Sequence, residues 1–342
     1  MIWLTWRQFR GAALMTAGLL AALGAVLALT GPSLADDYTS GIAGCAGEPE
    51  GCRQFFDRFL DEHQSAFLGV SGLLLLLPAL VGVFWGAPLI AREMESGTLR
   101  MVWTQSVRRS RWLAAKLALT GLAAMLVAGL GSLAVTWWAS PLDKSAVDSF
   151  PRLEAVVFAT RGIVPVGYAA FAFAVGVTAG MLLRRALPAM AVTLAVFALA
   201  QVAMPMLVRP HLAAPVETTA KITTANVDGL GQGGILQVRA SVADPGAWIL
   251  SSEVVDKDGR SAAVVDLPDD ATARCEARSK PSSPQESMRC VTDEANRLGY
   301  RMQSTYHPAD RYWPFQWAET GIYTGLALGL GGFCFWWVRR RA

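Results

Sequence analysis

The chain has 342 residues, 53% hydrophobic and 17% charged, with a net charge of +3. A soluble domain is usually nearer a quarter charged. Here the apolar residues gather in long charge-free runs between ordinary polar stretches, a pattern that excludes a plain soluble globule. A G-x-x-x-x-G-K-[ST] phosphate loop, an H-E-x-x-H zinc site and a G-x-S-x-G nucleophile elbow are all missing, so the chain carries no recognisable machinery for nucleotide or peptide hydrolysis.

Taken in order, the apolar runs are 11–30, 66–90, 117–138, 156–183, 186–208 and 321–338. Each is close to the 20 or so residues that cross a hydrocarbon core. The fold class that follows is an all-α polytopic membrane protein with six transmembrane helices. The first run, preceded by Arg7 and Arg10 and followed by Ser33-Leu34-Ala35, also has the outline of a cleavable secretory signal, although it is long for one.

Basic residues set the expected orientation. If the N-terminus is cytoplasmic, the inner segments are 1–10, 91–116, 184–185 and 339–342. They hold thirteen basic residues against two acidic ones, Glu93 and Glu95, a net of +11. The rest of the chain holds 17 basic and 25 acidic residues, a net of −8. Both termini are therefore expected in the cytoplasm, and segments 32–65, 139–155 and 209–320 outside.

The chain divides on this reading into residues 1–208, with five spans, an outer domain at 209–316, and a last span with a basic tail at 317–342. The outer domain is expected to be a small α+β unit. Residues 235–242 alternate in part, 248–255 and 262–267 flank Asp256-Lys257-Asp258-Gly259 as a hairpin, and Ser283, Pro284 and Glu286 open a helix that Gly299 stops. Cys45, Cys52, Cys275 and Cys290 all fall in outer segments, where disulfides persist. The simplest pairing is Cys45–Cys52 and Cys275–Cys290. Their spacings match no zinc pattern, and no metal is expected.

Within the spans ionisable groups are scarce. Glu319 reads as a solvated edge. Arg161, near the start of the fourth span, either attracts an anionic substrate or snorkels to headgroups. Gln201 either lines a substrate path or bonds a neighbouring helix. Two glycine pairs, Gly82/Gly86 and Gly176/Gly180, and the triplet Gly321/Gly325/Gly329 suit close helix packing.

The loop 91–111 is longer than a plain connection needs. Leu99, Val102 and Trp103 share one helical face, which predicts a short helix along the inner surface. The stretch REMESGTLRMVWTQSVRRSRWLAAKL resembles the segment between the second and third helices of ABC-2 type transporter permeases, through Glu93, Gly97, Thr98, Leu99, Arg109 and Lys116. The opening MIWLTWRQFR resembles the amphipathic first helix of that family, especially in actinobacterial members, and YHPADRYWPFQWAETG at 306–321 resembles its approach to the last helix.

The resemblance implies a six-helix permease subunit of a bacterial plasma-membrane exporter, working as a homodimer or with a paired permease. It implies a separate ABC ATPase subunit that carries ATP and Mg²⁺, and a coupling helix in 91–111 that docks on that subunit through Glu93, Gly97, Thr98, Leu99, Val102, Trp103 and Arg109. This chain would bind no cofactor and no nucleic acid. The apolar spans suit a lipophilic or amphipathic cargo such as a drug, lipid or peptide antibiotic. The rival reading is a membrane sensor whose outer domain binds a ligand and signals through the same loop.

Overall fold

In the computed structural model the chain forms two compact units, 1–212 with 312–342 and 213–311. The structure describes residues 2–45, 49–95, 109–145, 150–224, 227–230, 235–238, 242–262, 265–268, 275 and 284–341. Among the described residues, six helices in the first unit are long and apolar enough to cross a membrane.

The first unit comprises α1 (Ile2–Gly44), α2 (Pro49–Val81), a π-helical turn (Gly82–Gly86), α3 (Pro88–Glu95), α4 (Arg109–Trp138), the short α5 (Ser140–Ser145) and α6 (Ala155–Thr160), α7 (Val164–Leu183), α8 (Ala186–Ala203) and α10 (Tyr312–Arg341). Much of the expected outer segment 32–65 is helical: α1 runs to Gly44 and α2 starts at Pro49, with Tyr38 packed on Phe59 at 5.9 Å between ring centroids. The Ser33-Leu34-Ala35 stretch thus lies inside a continuous helix, with Leu34 buried.

The fourth span is not continuous. It breaks at 161–163 between α6 and α7, where Gly162 has φ +67°. Pro165 sits in the first turn of α7, where its missing N–H costs nothing. Two π-helical turns, Gly82–Gly86 and Met204–Val208, adjoin or contain Pro88 and Pro205. They shift the ladder by one residue, as in Ala87 N–H to Gly82 O at 2.9 Å.

α7 is the hub. Of its most apolar window 78% is buried, against 6% for α1, which explains why α7 is apolar on all faces. It packs on α2, the first π turn, α4, α8 and α10. The glycine pairs account for its closest contacts. A Cβ added at Gly176 would overlap the Gly82 carbonyl, and one at Gly180 the Ala87 carbonyl. A Cβ at Gly321, Gly325 or Gly329 meets nothing within 4 Å, so that third motif packs against no other helix among the described residues.

Two clusters mark the two ends of the bundle. One gathers Ile90, Trp112, Leu113, Met181 and Val338, with Ala13 against it. It brings together residues beside every segment expected to be cytoplasmic, and we call this the basic end. The other gathers Leu34, Phe59, Phe67, Trp138, Leu142 and Val157.

The second unit holds two antiparallel sheets. One has the order β1 (Val216–Ala220), β7 (Arg301–His307), β4 (Trp248–Val255), β5 (Ser261–Ala262), and the other β2 (Val227–Leu230), β3 (Ile235–Val238), β6 (Val265–Asp266). The expected hairpin forms. Asp256 Oδ1 accepts the N–H groups of Arg260 and Asp258 at 2.9 and 2.8 Å. These bonds, with the Arg260 charge, hold the Asp256 carboxyl below its usual range. The helix α9 (Pro284–Arg297) ends at Gly299, φ +95°. Its expected cap Ser283 lies outside the described residues. Asn296 binds the backbone of Ile222 through both amide atoms, at 3.1 and 2.7 Å. Cys275 and Cys290 are joined beside Val291 and Ala295 in the core of this unit.

Candidate functional site

Two polar constellations interrupt the apolar bundle. At the basic end, Glu93 on α3 pairs with Lys116 on α4. Their side chains are 12% and 4% exposed, and the Lys116 ammonium lies 4.8 Å from the Trp112 ring centre. Two residues on, Glu95 Oε1 accepts the Ala186 N–H at 2.9 Å. This satisfies one of the orphan donors at the start of α8, just after Arg184, which ends α7 in the left-handed region at φ 55°. The two carboxylates among the otherwise basic segments therefore staple α3 to α4 and α3 to α8.

Glu93, expected among the docking residues, pairs with Lys116, whose ammonium would otherwise be left unpaired at that depth. Arg109 is the first residue of α4. Gly97, Thr98, Leu99, Val102 and Trp103 lie outside the described residues. The described ends of their segment, α3 and α4, are thus held together by an ion pair.

At the opposite end, Gln316 of α10 fills the break between α6 and α7. Its Oε1 accepts the N–H groups of Ile163 and Val164 at 3.0 and 2.9 Å, and its Nε2 donates to the carbonyls of Phe158 and Arg161 at 3.1 and 3.2 Å. One side chain supplies donors and acceptors to both interrupted helix ends. Ser132 of α4 donates to the Gly162 carbonyl at 2.8 Å.

One turn further along α10, Glu319 accepts Arg209 Nε at 2.9 Å and Arg209 Nη2 at 3.2 Å, and the Tyr168 hydroxyl donates to it at 2.5 Å. The Arg209 guanidinium stacks over Phe158 at 3.9 Å. The Tyr323 ring meets Tyr168 edge-on at 4.8 Å, and its hydroxyl donates to the Ala200 carbonyl. Sequence reasoning took Glu319 for a solvated edge and passed over Arg209 and Gln316. The available signal was Gln316-x-x-Glu319, one polar face on an otherwise apolar helix.

Arg161 is corrected as well. It neither snorkels nor faces an open path. It is 2% exposed, with Nε 3.5 Å from Asp143 Oδ2 and its guanidinium over Phe67 at 5.3 Å. Burial pushes the Asp143 carboxyl up, and Arg161 opposes that shift. Gln201 is half-buried on α8, and its amide nitrogen has no hydrogen-bond partner among the described residues. Cys45 and Cys52 are free thiols, so the expected bridge is absent. Cys52 Sγ turns to the Cys45 carbonyl at 3.3 Å instead.

A family model described as ABC-2 membrane transporter related matches residues 17–209. The chain belongs to this family of ABC-2 type permeases. No curated protein and no solved structure matches it. The match covers α1 to α8 and ends at Arg209. The Arg209–Glu319 pair therefore joins the last matched residue to the helix that follows the second unit. As an ABC-2 permease the chain is a membrane component of transport.

Proposed function

We propose that this chain is the membrane-spanning subunit of an ATP-driven exporter in a bacterial plasma membrane, with the basic end in the cytoplasm and residues 213–311 outside. A separate ABC ATPase docks on the 91–111 segment and holds ATP and Mg²⁺, and the permease works as a homodimer or with a paired permease. The cargo is lipophilic or amphipathic. The observation that carries this reading is the family match across α1 to α8, which contains that segment.

The contacts of the helices that flank the 91–111 segment support a mechanism. Closure of the ATPase pair would press on 91–111. The Glu93–Lys116 pair and the Glu95 to Ala186 bond would pass that displacement to α4 and α8 together rather than let the loop flex alone. The spans would then rock as rigid bodies between two openings.

The test is gentle solubilisation and tagged purification of the chain. A stoichiometric P-loop ATPase, lost when residues 97–103 are disrupted, supports the reading. A preparation without ATPase, while a control ABC complex stays intact, overturns it. The sensor reading draws on one observation, a second unit at 213–311 with its own core and disulfide. Signalling without substrate flux would favour it.

A further inference from the structure

Between α4, α7 and α10 the bundle leaves a cavity of about 440 Å³. Its walls run from 114 to 125 on α4, from 170 to 177 on α7 and from 324 to 335 on α10. At 1.5 Å per residue the two longer walls extend roughly 17 Å along the helices. The space comes from missing side chains. Gly331 and Gly332 line it, and a Cβ at either meets nothing within 4 Å. Gly121 faces only the edge of the Phe173 ring.

Among the described residues no charged side chain lines this cavity. The Cys334 thiol on its wall is already engaged with Thr178 Oγ1 at 3.4 Å. A charged ligand would find no counter-ion and would be expensive to hold at this depth. Sites for drug-sized ligands fall at about 300–1,000 Å³ and are mostly apolar. We propose that this cavity is a binding site for an elongated, uncharged lipophilic molecule, held by dispersion contacts with α4, α7 and α10.

That the occupant is the exported cargo rests on the function proposed above, but its binding does not. Phe173, Val177 and Cys334 line the cavity and also belong to the cluster that packs Trp112 and Leu113. Lys116, between wall residues Ala114 and Leu117, is the partner of Glu93. A displacement of the loop base therefore moves one wall of the site.

The experiment labels the full chain in nanodiscs with an aliphatic alcohol bearing a diazirine, without any ATPase, and maps the adducts by mass spectrometry. Saturable labelling is expected on residues 114–125 and 324–335. It should fall at least tenfold in Gly331→Leu, which fills the slot, and stay unchanged in Gly321→Leu, an equally open position on the same helix outside the cavity. Labelling that rises linearly with probe, spreads over α1 and α8, or is equal in wild type and Gly331→Leu overturns the site and leaves only a lipid-facing groove. Saturable labelling in a chain that purifies without an ATPase would keep the site while removing the export reading. An ATPase-bound chain without saturable labelling would do the reverse.

Discussion

Arg209 and Glu319 form a two-point ion pair with side-chain exposures of 1% and 0%, and they bracket the second unit in the chain. Removing one partner of a buried pair leaves the other charge uncompensated, at a cost of about 3–5 kcal/mol. Arg209→Met and Glu319→Leu are each expected to lower the thermal midpoint of the detergent-purified chain sharply. The double variant should recover most of the loss, since an apolar pair of similar volume is close to neutral. Equal stability of the two single variants and the wild type would contradict the pairing.

Glu93→Lys places two ammonium groups together at the base of the 91–111 segment. Coupled transport and ATPase association are both expected to be lost. Because Glu93 acts through Lys116, the exchanged pair Glu93→Lys/Lys116→Glu should restore association to within a few-fold of wild type, measured by co-purification. A direct docking role for the carboxylate would leave the exchanged pair as defective as the single variant.

Gly176→Leu and Gly325→Leu separate packed from open glycines. The first drives a side chain into the Gly82 carbonyl, and overpacking costs about 1–3 kcal/mol, more when backbone must move. The second enters open space. A large fall in monodisperse yield is expected for Gly176→Leu and none for Gly325→Leu, read by fluorescence-detected size exclusion.

Gln316→Leu preserves volume but abandons two N–H groups and two carbonyls at the α6–α7 break. Each unsatisfied buried group costs about 1–3 kcal/mol. The variant should be less stable than Gln316→Glu, which keeps the acceptor for the Ile163 and Val164 amides. Hydrogen exchange at 158–166 is the measurement, with faster exchange expected in Gln316→Leu.

Cys275→Ser/Cys290→Ser is expected to lower the stability of the second unit by about 2–5 kcal/mol. In non-reducing peptide mapping of the native protein, Cys275 and Cys290 should appear as one linked species. Denaturation followed by maleimide should label Cys45, Cys52 and Cys334 without prior reduction. A linked Cys45–Cys52 peptide would contradict the free thiols.

The apolar runs, the hairpin at Asp256 and the helix ending at Gly299 were legible from local pattern alone. Hydropathy, turn chemistry and capping act over a few residues, so the chain states them directly. The gathering of Ile90, Trp112, Met181 and Val338 at one end likewise follows from the alternation of spans.

The buried partners were not legible. Glu319 sits at a span boundary, where a carboxylate exposed to water and one sealed against an arginine look alike in sequence. Only Arg209, 110 positions earlier, decides between them. β7 escaped notice because its pairing with β1 and β4 joins residues more than 40 positions apart. The sequence by itself determined which runs are long and apolar enough to cross a membrane, their order and the basic character of one end. Tertiary structure decided that α7 is the hub, that the fourth span is broken and refilled by Gln316, and that Glu93 pairs with Lys116. Each of those outcomes depends on a partner far away in the chain, and a buried polar group is stable only where such a partner exists.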